Sequence, residues 1–143
     1  MTRLAVAYIS TGIVFLGLDA IWLTFAGGLL YRPLIGDLLL PTFKLAPAAL
    51  FYALYIAGVV AFAVIPALIS GRLTTALLYG AALGLVAYGT YDLTNQSTLN
   101  GWSSALTVTD MIWGTFLTAI AATAGALVTR TVLQSIGGAP LAG

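Results

Sequence analysis

The chain contains no cysteine and no histidine among its 143 residues. The first absence excludes disulfide bonds, and the second removes the usual ligands of transition metals and haem, together with the commonest general base. Charged residues are also scarce, at 6% of the chain, whereas a soluble domain normally carries about 25%. The net charge is only +1. We therefore expect no nucleic-acid partner, because such a partner requires a basic patch.

Long apolar stretches take up most of the chain, which is 61% hydrophobic and has a mean hydropathy of +1.07. Each of four stretches reaches the ~20 residues that a helix needs to cross ~30 Å of hydrocarbon. The first is too long for the apolar part of a typical signal peptide, so we expect it to be a spanning helix. The sequence predicts a single all-α transmembrane domain over residues 1–143. Its architecture is an integral membrane bundle of four antiparallel helices, at about 4–27, 45–69, 74–95 and 105–128.

The basic residues predict how the protein is oriented in the membrane. They divide three against two between the sides of the membrane: Arg3, Arg72 and Arg130 against Arg32 and Lys44. By the positive-inside rule, both termini are expected in the cytoplasm. The segment 29–43 mixes polar and apolar residues, which predicts an ordered interfacial loop or, alternatively, a short amphipathic segment. The tail from Leu133 onward is expected to fray.

Small residues and prolines predict how the helices pack. Gly80 and Gly84 have the spacing that lets two membrane helices approach closely. Pro47 falls in the first turn of its helix, where a missing N–H costs little. Pro66 lies near the far end of the same helix and is expected to kink or end it.

Three of the four aspartates lie inside the apolar stretches, where an ionisable group is costly and by default marks a functional site. At 1.5 Å per residue, Asp19 lies ~12 Å before the end of helix 1. Asp92 lies ~5 Å from the end of helix 3, and Asp110 lies ~8 Å inside helix 4. Odd-numbered helices end where even-numbered helices begin. The three carboxylates are therefore expected at similar depths near one side, the non-cytoplasmic one in this orientation.

The neighbours of these aspartates are compatible with a shared pocket. Trp22 and Trp113 each follow an aspartate by three residues and so share its helix face. Helix 3 contributes two tyrosines and an asparagine within two turns. The candidate ligand-binding residues are therefore Asp19, Trp22, Tyr88, Tyr91, Asp92, Asn95, Asp110 and Trp113.

Other interpretations of these residues remain open. Tyr31, Tyr52 and Tyr55 fit an aromatic belt at the membrane interface, or simple packing, better than they fit a site. The aspartates, Asp92 most of all, also fit helix caps or structural pairs with Arg32 or Lys44. Asp37 is interpreted as an interfacial residue.

The segments 19–25 and 110–116 share Asp, Ile, Trp, Thr and Phe at the same offsets. Inverted repeats occur in transporters, but chance or similar packing explains seven positions at least as well. Grouped carboxylates in a low-dielectric site cannot all stay ionised, which suits proton exchange, cation binding or acid–base chemistry. Their oxygens are ligands that Mg²⁺ or Ca²⁺ accepts, yet the spacing matches no metal motif. We assign no metal and no cofactor.

Several motifs together resemble a known family. They are Phe51-Tyr52-x-Leu54-Tyr55-x-x-Gly58, the run Tyr-Gly-Thr-Tyr-Asp-Leu-Thr-Asn at 88–95, Gly101-Trp102 and Asp110-x-x-Trp113-Gly114. This combination is similar to a bacterial membrane family catalogued as domain of unknown function 2177, over nearly the whole chain. The resemblance implies a four-helix protein of the bacterial inner membrane. It implies no particular activity and no catalytic residue.

Three functions remain in view. The one we favour is a membrane protein that binds or transports a small polar or cationic ligand, or protons, with membrane lipids around it. Transport would need a homo-oligomer, because four helices rarely enclose a pathway. The second is a membrane-embedded enzyme acting on a lipid or other apolar substrate, with Asp19 or Asp110 as acid or base and Tyr91 as a donor. The third is an accessory or scaffold subunit whose polar cluster fixes helix packing.

Overall fold

The computed structural model describes residues 1–137, of which 88% are helical and none forms a strand. Four helical stretches are long and apolar enough to cross a membrane: Thr2–Leu38, Leu45–Ser70, Leu73–Thr98 and Ser104–Ser135. The predicted all-α fold with four candidate spans is therefore confirmed. The antiparallel arrangement of the four helices stays a prediction.

Each of the first two stretches is built from several helical segments. The first comprises α1 (Thr2–Ala26), a π-helical turn (Gly27–Tyr31), α2 (Arg32–Ile35) and a 3₁₀ turn (Gly36–Leu38). The second comprises α3 (Leu45–Val59), a π-helical turn (Val60–Val64) and α4 (Ile65–Ser70). The last two stretches are the single helices α5 (Leu73–Thr98) and α6 (Ser104–Ser135).

The helices extend beyond the predicted boundaries. The first stretch does not end at residue 27 but continues to Leu38, so most of the expected interfacial loop is helical. Similarly, α5 continues to Thr98 and α6 to Ser135, past the start of the tail that was expected to fray; residues 138–143 of that tail lie outside the described range. The reason is that hydropathy marks the part of a helix that matches the lipid. Once formed, a helix gains a hydrogen bond with each added residue, and polar residues can continue it.

A proline follows each π-helical turn. Pro33 is the second residue of α2, and Pro66 is the second residue of α4. A proline lacks the N–H of the regular helical ladder, and its ring clashes with the carbonyl four residues earlier. A π-helical turn widens the backbone at such a point. Pro66 therefore does not end its helical stretch. Pro47 lies in the first turn of α3, as predicted.

Helices α5 and α6 pack closely through small residues. A Cβ atom placed on Gly84 would overlap the carbonyl oxygen of Gly114, and one placed on Gly80 would lie 2.9 Å from the carbonyl oxygen of Thr118. The two backbones touch at these points, so no side chain fits between them. The predicted role of the Gly80 and Gly84 spacing is confirmed.

Small side chains also bring α1 against α6 at one end of the bundle. Thr11 is fully buried, and a Cβ atom added to Gly125 would overlap its hydroxyl. Nearby, the Ser10 hydroxyl lies 3.4 Å from the carbonyl oxygen of Gly125. We call this region the closed end. It also contains the buried residues Ala7, Val59, Val60, Ala63, Val64, Ala67, Ala76, Ala122 and Ala126.

Candidate functional site

Two buried aspartates from different helices open onto one cavity. Asp19 on α1 is 6% exposed, and Asp110 on α6 is 4% exposed. Both line a cavity of about 1280 Å³. The sequence had predicted that these two carboxylates reach the same region, and the structure brings them to one cavity.

The cavity wall is mostly apolar. It is formed by α1, α3, the turn regions after α1, and parts of α5 and α6. Its polar side chains are the two aspartates and a set of aromatic residues with a hydroxyl or an indole N–H: Tyr8, Tyr31, Tyr52, Tyr55, Tyr88, Tyr91, Trp102 and Trp113. A ligand in this cavity would therefore meet apolar and aromatic surface everywhere except at the carboxylates and these hydroxyl and N–H groups.

Asp19 is held by a phenol and an indole. The hydroxyl of Tyr52, on α3, donates a hydrogen bond to Asp19 Oδ2 at 2.5 Å. The Nε1–H of Trp113, on α6, donates a longer one to Asp19 Oδ1 at 3.4 Å. Phe15 packs edge-on against the Tyr52 ring, with the centroids 6.2 Å apart. Asp19 thus joins three helices, and the Tyr52 ring is fixed by its own neighbours.

Asp110 has a similar set of partners. The hydroxyl of Tyr31 donates to Asp110 Oδ1 at 2.6 Å, and the Nε1–H of Trp22 donates to the Tyr31 hydroxyl at 3.2 Å. Tyr31 is the last residue of the π-helical turn that continues the first helix beyond Ala26. The continuation of the helix past its predicted end therefore positions the donor to Asp110.

The two Asp-x-x-Trp segments meet in the site. The rings of Trp22 and Trp113 are stacked, with centroids 4.5 Å apart and planes inclined by 10°. Asp19 accepts directly from Trp113, whereas Asp110 is connected to Trp22 through the Tyr31 hydroxyl. The short sequence echo therefore corresponds to one joined network rather than to two separate sites.

Within residues 1–137, no lysine or arginine donates a hydrogen bond to Asp19 or Asp110, and none lines the cavity. Every hydrogen-bond partner of Asp19 and Asp110 there is a tyrosine hydroxyl or an indole N–H. The alternative expectation that these aspartates pair with Arg32 or Lys44 is not met. A buried carboxylate normally has a paired cation, so a positively charged group from outside the chain would be complementary to this pair.

Asp92 is placed differently from the other two. It is fully buried on α5, neither of its side-chain oxygens has a hydrogen-bond partner, and it does not line the cavity. It lies within electrostatic range of Asp110. A buried carboxyl without a partner needs a proton, a water molecule or a cation. Within residues 1–137, no group of three or more His, Cys, Asp or Glu side chains could hold a metal ion.

The other predicted site residues divide into two groups. Tyr88, Tyr91 and Trp113 line the cavity, whereas Trp22 and Asn95 do not. Tyr88 packs directly on Gly114, since a Cβ atom there would overlap its ring. Trp22 acts indirectly, through its stacking and its bond to Tyr31. The structure therefore extends the site to residues that hold the cavity-lining groups in place.

Three tyrosines that the sequence favoured as belt or packing residues belong to the network. Tyr31 and Tyr52 donate to the aspartates, and the Tyr55 hydroxyl lies 2.9 Å from the Thr118 hydroxyl. Tyr52 and Tyr55 are three residues apart, a spacing that places both on one helix face. That spacing was a usable signal for these two. Tyr31 gave no such signal, because its position depends on the helix continuing past residue 27.

Comparisons with known proteins give one finding. The family described as predicted membrane protein (DUF2177) matches residues 4–127. No curated protein and no solved structure matches the chain. The match covers Asp19, Asp92 and Asp110 and both tryptophans of the stacked pair.

Proposed function

The chain belongs to this family of predicted membrane proteins, and we propose that it binds a ligand through a positively charged group at Asp19 and Asp110. The observation that supports this proposal is the pair of carboxylates. Both open onto one cavity, and no lysine or arginine among residues 1–137 accompanies them. A cation that enters the cavity would supply the missing charge.

The aromatic lining adds to the argument. Organic cations bind to the faces of aromatic rings, with about 0.5–2 kcal/mol per favourable contact. Tyr88 and Trp113 line the cavity beside the carboxylates. A protonated amine offers the carboxylates both hydrogen bonds and a positive charge, and a quaternary ammonium group offers the charge alone. Both also bind to the faces of such rings. A hydrated metal ion does not, and these aromatic walls offer it few oxygen ligands.

A binding measurement tests the proposal. The protein is placed in phosphatidylcholine nanodiscs, and tritiated dodecylamine is titrated against it, with empty nanodiscs as the background. We expect saturable binding that weakens by about tenfold or more in Asp19→Asn and in Asp110→Asn. The reason is that a hydrogen bond to a charged group contributes about 1.5–3 kcal/mol, and 1.4 kcal/mol is tenfold in affinity.

The matched control is Asp37→Asn, because Asp37 is exposed and lies outside the cavity. This variant should bind dodecylamine as the parent protein does. Equal affinity in all three variants, or no binding above that of empty nanodiscs, would overturn the proposal.

A second candidate function has a specific observation in its favour. The hydrogen bonds of Asp19 and Asp110 join α1, α3, α6 and the turn that carries Tyr31. Polar side chains hold membrane helices together in this way, so the network is also what a scaffold subunit would contain. In that case Asp19→Asn would reduce thermal stability and binding of dodecylamine would be absent from the parent protein as well.

We also propose that both termini are cytoplasmic and that the cavity lies near the opposite side of the membrane. The supporting observation is the distribution of Lys and Arg. Because the chain has no cysteine, single-cysteine variants report orientation directly. In intact cells, Asn100→Cys should react with a membrane-impermeant maleimide and Ser70→Cys should not. The reverse pattern would contradict this orientation.

A further inference from the structure

The cavity has an apolar side that continues into the lipid-facing surface. Along α1, its lining residues form one stripe at helical spacing: Ile9, Gly12, Ile13, Leu16, Asp19 and Leu23. Ile9 is 59% exposed and Ile13 is 68% exposed. In a membrane-spanning helix, such exposed apolar side chains face lipid. The stripe therefore leads from the lipid surface to Asp19.

The facing wall on α3 has the same character. Leu45 and Phe51 line the cavity and are also 71% and 48% exposed, and small residues lie between them at Ala48 and Ala49. Several contacts between α1 and α3 come from long side chains, and Ile56 on α3 also packs against Gly12 on α1. Examples are the Tyr8 hydroxyl, which donates to the carbonyl oxygen of Ala53 at 3.0 Å, and Tyr52 with Asp19. The gap between α1 and α3 is thus bridged at points and apolar between them.

The length of this gap fits an acyl chain. From Ile9 to Asp19, ten residues of helix cover about 15 Å, which is half of the ~30 Å hydrocarbon thickness. An acyl chain lying along α1 with its end near Ile9 would therefore place its polar head group beside Asp19. Only the carboxylate pair and the aromatic donors are polar there.

We propose that the ligand is a membrane amphiphile with a positively charged amine head group and an acyl chain, which enters from the bilayer between α1 and α3. This inference rests on the proposed function, because it adds the source and the orientation of the ligand to the site that binds its charge. The occupant follows from charge complementarity with Asp19 and Asp110 and from the apolar walls that continue into lipid. The acyl chain of the ligand gains little affinity by leaving lipid for the groove, since both are apolar. Its entry serves to bring the head group to the carboxylates.

Photo-crosslinking locates the alkyl chain of the bound ligand. The probe is dodecylamine with a diazirine at the end of its chain, used in phosphatidylcholine nanodiscs with and without excess dodecylamine. We expect the crosslinks that dodecylamine displaces to map to Ile9, Ile13 or Ile56, all of which line the cavity. Displaceable crosslinks at lipid-facing residues elsewhere, such as Leu78 or Val108, would overturn the lateral groove.

A matched pair of substitutions tests the groove independently. Ile13 lines the cavity at 68% exposure, whereas Ile112 on α6 is 66% exposed and lies outside it. Ile13→Trp should weaken dodecylamine binding by about tenfold, as a bulky side chain overfills the groove. Ile112→Trp should leave the binding unchanged, and equal effects of the two would contradict the inference.

The two proposals fail in different ways. Binding that depends on Asp19 and Asp110 but is unaffected by Ile13→Trp, with chain crosslinks outside the groove, would reject the lateral groove and leave the cation site intact. Groove crosslinks that persist unchanged in Asp19→Asn and Asp110→Asn would reject the cation site, and with it the head-group assignment.

Discussion

The two ends of the bundle use opposite kinds of packing. At the closed end, Gly125 lets α1 and α6 touch, because Thr11 fits directly against it. At the other end, large aromatic side chains such as Tyr52 and Trp113 span between helices and surround two carboxylates. Close backbone contact leaves no space, whereas aromatic bridges hold helices at a distance. The difference indicates that close helix contacts, between α1 and α6 at the closed end and between α5 and α6 at Gly84, fix the frame, and that the aromatic side chains keep the cavity open.

The largest loss of stability is expected at the close backbone contact between α5 and α6. Gly84→Ala would place a methyl group into the carbonyl oxygen of Gly114, a backbone atom that cannot move aside alone. Overpacking of this kind costs about 1–3 kcal/mol. The measurement is thermal or SDS-induced unfolding of the protein in detergent.

The control for this substitution is Gly17→Ala. Gly17 lies within α1 and has no atom within 4 Å of an added Cβ. Because alanine favours a helix over glycine by about 1 kcal/mol, the control should be neutral or stabilising. If Gly84→Ala behaved like Gly17→Ala, close contact of α5 with α6 would not be what fixes the frame.

A smaller loss of stability is expected when a hydrogen bond from an aromatic side chain to another helix is removed. Tyr52→Phe removes the hydroxyl that donates to Asp19. A hydrogen bond between membrane helices contributes about 0.6 kcal/mol on average and at most about 1.7 kcal/mol, so unfolding should become easier by an amount in that range. Tyr79→Phe is the matched control, because Tyr79 is 52% exposed and lies outside the cavity. Equal stability of the two variants would mean that the bridge does not hold α3 to α1.

The smallest change in stability is expected at two buried threonines, which should respond differently to replacement by valine. Thr118 pairs with the Tyr55 hydroxyl, whereas the buried Thr11 hydroxyl has no hydrogen-bond partner. Thr118→Val should therefore destabilise the protein by about 0.6 kcal/mol. Thr11→Val should be neutral or slightly stabilising, since an unpaired buried hydroxyl is replaced by a methyl group. A larger loss at Thr11 than at Thr118 in unfolding experiments would contradict this reading of the closed end.

Much of the architecture follows from hydropathy, spacing and residue size. Four long apolar stretches predict four spans, and helix geometry predicts that Asp19 and Asp110 reach similar depths. Gly80 and Gly84 predict a close helix contact because only small residues permit it. These properties depend on position along one helix or on the size of one residue, so no knowledge of the neighbours is needed.

The remaining features depend on which helices are neighbours and how each is rotated. Asp92 is predicted at a depth similar to that of Asp110, yet it is fully buried, has no hydrogen-bond partner and does not line the cavity. Tyr31 donates to Asp110 only because the helix continues through a π-helical turn before Pro33. Hydropathy does not encode either rotation or a π-helical turn.

The most direct test of the account compares two buried aspartates. Asp19→Asn changes a carboxylate that lines the cavity, and Asp92→Asn changes one that does not. Binding of tritiated dodecylamine in phosphatidylcholine nanodiscs should weaken by about tenfold in the first variant, as for loss of a charged hydrogen bond. It should change much less in the second, which is coupled to the site only through its electrostatic interaction with Asp110. Equal affinities in the two variants would contradict the claim that the cavity carboxylates bind the ligand's charge.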